Sequence, residues 1–293
     1  MSANLPQHFV ETYATNMQLL LQQKDSRFLP YVMTGTHVGT GAAAVDQVGT
    51  IETQDVTSRY PDITQQDVPV DRRWVYPQPK YTSFLIDKFE ELQVLLDPKA
   101  SYTETAANSM RRKKDDVIID AFFAAAATGT RGGTSTAFPS GQQVGVSVGG
   151  TTSGLNVEKL LAGQEILRAG HVDPDEPVYC ALAAKQIRDL MKEAQVVSSD
   201  FNNVKPLAEG KIVSFLGITF IPTQRLDTDG SGYRRLPMWV KSGMHLGIWQ
   251  DVKTDITQRK DKVGHPWQVY HDMMIGATRL EEAKVVEIKC AES

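Results

Sequence analysis

Between Gly35 and Pro79 the sequence carries no helical periodicity, and this stretch constrains the fold more than any other. Gly35, Gly39, Gly41 and Gly49 punctuate its beginning, and Pro61, Pro69, Pro77 and Pro79 its end. Short β-favouring runs, Val45 to Ile51 and Trp74 to Tyr76, lie between them among many Gln, Asp and Thr residues. The pattern predicts a two-stranded excursion too polar to form a core of its own. Its tip, Gly49 to Pro69, carries Glu52, Asp55, Arg59, Asp62 and Asp67, with few apolar residues beyond Ile51, Val56, Tyr60, Ile63 and Val68. Long excursions from compact domains are uncommon and usually functional. An isolated hairpin is marginal in water, so this one needs a partner surface.

The remainder of the chain can supply a core. Hydrophobic residues make up 41% of the 293, and charged residues 23%, which is ordinary globular composition. A net charge of −4 argues against a protein that coats nucleic acid through a basic face. It does not exclude a surface that faces nucleic acid without gripping it. Cys180 and Cys290 stand far apart in apolar, strand-like runs, which predicts two buried reduced thiols, at home in a cytoplasm, and neither a disulfide framework nor a metal site. No secretory signal is expected from Met1 to Gln7, which lack a basic cluster. The most apolar stretch, Ala121 to Ala127, falls far short of the roughly 20 residues of a membrane span, so no membrane partner is expected.

Ahead of the excursion, Leu5, Phe9, Tyr13, Met17 and Leu20/Leu21 recur at helical spacing, with Pro6 near the start and Pro30 closing the region. A terminal helix with one apolar stripe must bury it, either on its own domain or along a neighbouring subunit. After the excursion, Phe84, Phe89, Leu92, Leu95 and Leu96 lead to the Asp97-Pro98 turn. Ser101 and Glu104 then form a capping-box pattern. Tyr102, Ala106, Met110, Val117, Ala121 and Ala124/Ala125 follow at helical spacing up to Gly129. This predicts one long helix whose charged run, Arg111 to Asp116, forms a solvated face. Further on, the sequence predicts a strand at Val144 to Val148 and helices at Val157 to Ala169 and Lys185 to Ala194. It also predicts a strand at Val178 to Leu182 and a hairpin at Ile212 to Ile221, broken at Gly217. Late strands are predicted at Met238 to Val240, Leu246 to Trp249, Trp267 to Ile275 and Val285 to Ile288. Helices and strands are segregated, so the class is α+β.

Candidate chemistry is sparse. Gly145-Val146-Ser147-Val148-Gly149 matches the nucleophile-elbow pattern, which needs serine on a sharp turn with a helix immediately after it. Here Ser147 falls within an alternating valine run and the next helix starts only near Asn156, which predicts a strand serine. Gly129 to Ser135 resembles a phosphate cradle but lacks the Gly-Lys-Ser/Thr ending. Asp227 to Gly232 resembles the start of a calcium loop without its closing glutamate. His171 beside Asp173, Asp175 and Glu176 offers a weak cation site, but Pro174 and Pro177 favour a turn. No catalytic, cofactor or metal constellation is expected.

The order of parts, with two local runs, is similar to the major capsid proteins of tailed bacteriophages, whose fold encapsulins share. Ala42 to Gly49 (AAAVDQVG) resembles the strand that opens the extended loop in one phage capsid family. Asp87-Lys88-Phe89 through Leu95-Leu96-Asp97-Pro98, then Tyr102-Thr103 to Asp115-Asp116 and on to Gly129, resembles that family's entry into its spine helix. The resemblance implies an N-terminal arm (1–37), an extended loop (38–80), a peripheral domain with the spine helix (81–154 and 224–293) and an axial domain (155–223). It implies a self-assembling icosahedral shell of hexamers and pentamers around double-stranded DNA, built in the host cytoplasm. Partners would be a separate scaffolding protein, a portal and a decoration protein. Inter-subunit contacts are expected at Phe9, Tyr13 and Met17 of the arm and at Glu52, Arg59, Tyr60, Asp62, Asp67, Arg72 and Arg73 of the loop. Some relatives crosslink through a loop lysine; here no lysine lies between Lys24 and Lys80, so that chemistry is not expected. The alternatives are an encapsulin-like compartment and, from another class, a serine hydrolase using Ser147.

Overall fold

The computed structural model describes residues 22–56, 58–59, 62–63, 65–86, 99–150, 152–193 and 213–292. The amphipathic segment expected over Leu5 to Leu21 lies outside them, as do Tyr60 and the Asp97-Pro98 turn.

Strands β1 (Met33–Thr36), β2 (Ala42–Val48), β3 (Val70–Val75) and β4 (Gln78–Ile86) come first. Helix α1 (Lys99–Phe123) follows, then the short strands β5 (Ala126–Thr128), β6 (Thr134–Thr136) and β7 (Gln143–Val144). Helix α2 (Val157–Ala169), strand β8 (Val178–Leu182) and helix α3 (Ala184–Lys192) fall close to the predicted bounds. Then come β9 (Ser214–Phe215), β10 (Ile218–Pro222), β11 (Arg234–Val240), β12 (Met244–Gln258), β13 (Trp267–Arg279) and β14 (Val285–Cys290). The class is α+β.

The chain divides into two compact units. The first holds Lys80–Arg112 and Val252–Met273 together with the residues up to Asp25. It contains most of β4, the first half of α1, and the adjoining parts of β12 and β13. Tyr81 stacks on Tyr270 with centroids 6.0 Å apart, and Gln268 donates to the Ser83 hydroxyl at 2.8 Å. Arg112 donates to the Gln22 side chain at 2.8 Å and the Gln23 carbonyl at 3.1 Å, holding the chain there against α1.

The second unit holds Ser26–Pro79, Lys113–Asp251 and Met274–Ser293. Its main sheet has six strands in the order β7-β14-β11-β8-β10-β9. β10 runs parallel to β8, with Phe220 beside Cys180, while β11 is antiparallel to both β8 and β14. The turn between β9 and β10 places Leu216 and Gly217 at φ of 54° and 75°. Two successive positive φ angles define the tight hairpin turn whose twist matches the strands. Helix α2 starts where the Asn156 side chain accepts the Lys159 amide at 2.8 Å, a regular N-cap. The core centres on Trp239 of β11, fully buried, with Phe122 at 4.7 Å and Phe28 at 5.6 Å between centroids. Burying each such ring contributes roughly 1.5–3 kcal/mol.

Three expectations about the long helix are corrected. Ala124 to Gly129 leaves the helix: α1 ends at Phe123, and Ala126–Thr128 becomes β5, pairing with β3. Alanine favours helix locally, but the buried Arg279 guanidinium closes α1 by donating to the Phe122 and Ala124 carbonyls at 2.8 and 2.9 Å. Tertiary pairing then overrides propensity. Because α1 begins at Lys99, Ser101 lies inside its first turn and not at the cap. The run Arg111 to Asp116 is also not uniformly solvated. Lys114 and Asp115 are buried, since the helical period that brings Val117 and Ile118 to the core brings these two with them. Asp115 accepts the backbone N–H groups of Arg27 and Phe28, and so fixes the entry of the chain into this unit. Lys114 pairs with Asp251 at 2.5 Å, and Asp116 with Arg225.

Candidate functional site

The predicted excursion exists, and it has two physically different parts. Its root is the antiparallel pair β2 and β3, in register from Asp46 opposite Arg72 to Val48 opposite Val70. Gly49 N–H closes the pair on the Pro69 carbonyl at 2.7 Å. The Pro69 ring lies 2.6 Å from where a Cβ on Gly49 would stand, so only glycine fits. The free edge of β3 pairs with β5, and the Trp74 indole donates to the Gly129 carbonyl at 2.8 Å. Arg73 is buried here: it donates to Glu282 at 2.7 Å and to the Gln47 side-chain oxygen Oε1 at 3.2 Å. Glu282 also faces Arg279 at 3.5 Å. Burial lowers the Arg279 pKa, an effect Glu282 opposes and Arg73 reinforces. Removing one member of such a network leaves an uncompensated buried charge, at roughly 3–5 kcal/mol.

The tip is the opposite case. No regular secondary structure occurs between Gly49 and Pro69 among the described residues. Ile63 is 93% exposed, Val56 79% and Ile51 58%, and Val48, Val68 and Val70 are exposed too. Single apolar residues scattered on a surface need no explanation, but here several stand on one segment without a core beneath it.

The expected contact residues therefore separate. Glu52, Arg59, Asp62 and Asp67 are exposed on the tip. Arg72 is exposed on the root, in a bidentate pair with Asp46 opposite; this pair holds the Asp46 carboxyl below the usual carboxylate range. Arg73, grouped with them from sequence, serves inside its own unit as an anchor. Phe9, Tyr13, Met17 and Tyr60 lie outside the described residues. Sequence reasoning missed Arg279 and Glu282, whose role depends on a fold-level meeting that no local pattern announces.

The enzymatic candidates dissolve on geometry. Ser147 is not in a strand: β7 ends at Val144 and the Ser147 segment is a turn. Gly149 and Gly150, at φ of 93° and 104°, bend the chain there, and this glycine pair outweighs the valine alternation. No helix starts before Val157, so the elbow geometry is missing all the same. Among the described residues no hydrogen bond joins the Ser147 hydroxyl to a histidine or carboxylate. Gly129 to Ser135 forms the turn between β5 and β6, with no helix behind it to hold a phosphate. The Asp229 carboxylate accepts the backbone N–H groups of Ser231 and Tyr233, both at 2.9 Å, which makes a turn and not a cation loop. Near His171, Asp173 caps the Asp175 amide and Glu176 accepts the Ser242 amide, so both acids are engaged. Among the described residues no three metal-ligating side chains converge. A cleft of about 560 Å³ beside the loop root is lined by Met33, Val48, Val70, Leu280 and polar neighbours, without histidine or cysteine. Cys180 and Cys290 are free and buried; burial pushes the Cys290 thiol up to about 12 and Cys180 higher still.

Comparison with known proteins gives one consistent result. The model of a family described as phage capsid protein matches residues 5–292. No curated protein matches the sequence. Among solved structures, the capsid of cyanophage P-SCSP1u is 16% identical with a TM-score of 0.76, covering 98% of this chain and 94% of that one. A Mycobacterium phage Che8 structure is 13% identical with a TM-score of 0.73, covering 96% and 97%. The capsid of a native GTA particle is 11% identical with a TM-score of 0.68, covering 95% and 94%. At these identities the structures speak for the fold.

Proposed function

The chain belongs to the phage capsid protein family, and from that premise we propose how its parts build a shell. It is a major capsid protein, a structural subunit of the icosahedral capsid of a virion, and not an enzyme. Neither the encapsulin-like reading nor the hydrolase reading is favoured.

The extended loop is the main assembly element. The observation that carries this is the exposure of Ile51, Val56 and Ile63 on a tip with no core beneath it, joined to a root fixed by buried charge. A rigid root aims the tip, and a neighbouring subunit covers it. Glu52, Arg59, Asp62 and Asp67 add polar contacts there, and the arm residues Phe9, Tyr13 and Met17 contribute a second contact. Many weak contacts repeated by symmetry hold a lattice while letting misplaced subunits leave. In this reading the arm (1–37), loop (38–80), peripheral domain (81–154 and 224–293) and axial domain (155–223) are the working parts of hexamers and pentamers. Assembly takes place in the host cytoplasm with a separate scaffolding protein, a portal and a decoration protein, and the shell's inner surface faces double-stranded DNA without reading its sequence.

The test replaces residues 49–69 by a short Gly-Ser turn and compares thermal unfolding of the unassembled subunit with particle yield by sedimentation. The expected outcome is an unchanged unfolding midpoint and no closed shells. Normal shells from the shortened chain would place the lattice contacts elsewhere.

A further inference from the structure

At the point where β1 delivers the chain to the extended loop, two imidazoles meet. β1 runs parallel to the start of β12, with Met33 opposite His245 and Gly35 opposite Gly247. The ladder continues one step past β1, where His37 N–H donates to the Ile248 carbonyl at 3.0 Å. The two glycines directly opposite one another leave a slot without side chains, and His37 and His245 fill it. A Cβ on Gly35 would stand 2.8 Å from the His245 ring, and one on Gly247 2.8 Å from the His37 ring. Within the slot the two Nε2 atoms are 2.8 Å apart, a hydrogen bond that needs one proton between them. Trp249 closes the other side of His37, with ring centroids 5.3 Å apart.

The bond has a preferred sense. His245 is buried and its Nδ1 has no partner, while His37 is only half-buried. An unpaired buried N–H costs more than an unpaired lone pair, so His245 donates from Nε2 to the Nε2 of His37, whose own N–H sits at the wetter Nδ1. A first added proton, whichever ring takes it, leaves His245 with a hydrogen on the partnerless Nδ1. A second puts two N–H groups face to face at a distance that holds only one. Burial, with a smaller part from His37, lowers the His245 pKa to about 4. β1 itself carries no ionisable side chain, and on β12 the next acid, Asp251, is held by Lys114.

We propose that the His37–His245 pair is a proton-operated pin, which holds β1, the strand leading into the extended loop, on β12 at neutral pH and releases it in acid. Its consequence for assembly rests on the loop reading above, but the pin is tested at β1 and β12 themselves. The sign follows from linkage: a histidine whose folded pKa lies below its unfolded value holds stability above about pH 6.5 that is lost as pH falls toward 4.

The experiment is amide hydrogen exchange on the unassembled full chain between pH 7.5 and pH 5, with a chelator present and rates corrected for intrinsic exchange. Peptides covering residues 33–38 and 244–249 are expected to lose protection about tenfold in acid, while those covering 178–182 and 234–240 do not. In His37→Gln, whose amide can still accept the His245 proton, the acid loss is expected to shrink to the part that burial of His245 alone causes. Equal loss in the parent and the variant, or no loss in the parent, overturns the pin. Should the variant not fold at pH 7.5, ring-proton NMR of the parent chain decides. Suppressed titration of the His245 ring upholds the pin, and titration of that ring near pH 6.5 overturns it.

Discussion

The tip of the extended loop and the sheet around Trp239 belong to the same unit, yet they satisfy their residues in opposite ways. Around Trp239, apolar side chains find partners within the chain: Phe28, Phe122 and Tyr179 surround the indole, whose N–H donates to the Tyr31 carbonyl at 2.9 Å. On the tip, Ile51, Val56 and Ile63 are left to water. Under the proposed assembly, the difference separates residues that serve the monomer from residues whose partners lie on other subunits. The root stands between these extremes. Arg73 and Arg279 are buried charges paired with the half-buried Glu282, a network that neither a minimal core nor a contact surface requires.

This contrast can be broken in graded steps. Trp239→Ala removes the centre of the core and should cost about 3–5 kcal/mol, giving little soluble subunit in expression trials. A soluble, cooperatively unfolding variant would show that the core lies elsewhere. Arg279→Met should cost about 3 kcal/mol, because it leaves the Phe122 and Ala124 carbonyls at the end of α1 without their buried donor and takes one of two arginines from Glu282. Denaturant titration should show the midpoint falling, and any remaining subunit should assemble poorly, since the root is loosened. Ile63→Asp should shift stability by no more than about 0.5 kcal/mol, as an exposed position does, while particle yield by sedimentation drops. That split between stability and assembly is the sharpest form of the comparison. Ser147→Ala should change neither stability nor yield, and purified subunit and variant should show the same absence of esterase turnover.

Much of this was legible in the sequence because the signals are local. Asn156 and Gly170 bracket α2, the positive-φ glycine Gly217 sits in the predicted hairpin break, and the polar excursion announced itself through its glycines and prolines. The failures share one cause. Ala124 to Thr128 has the composition of a helix, and only pairing with β3 makes it partly a strand. Lys114 and Asp115 read as surface charges until the helix is turned toward its core. The valines around Ser147 alternate as a strand would, but two successive glycines bend the backbone. Arg73 is one residue from the exposed Arg72, and strand alternation sends them to opposite faces. The histidine pin depends on a parallel register between residues some two hundred positions apart, which no window on the sequence contains.

The central claim is that the apolar residues of the tip are covered only when subunits assemble. Hydroxyl-radical footprinting of the free subunit and of the closed shell, read residue by residue at Ile51, Val56 and Ile63 with buried Trp239 as internal reference, measures that directly. Strong labelling of the three tip residues in the free subunit, falling at least about tenfold in the shell while Trp239 stays protected in both, is the predicted result. Equal labelling of the tip in the two states would contradict it.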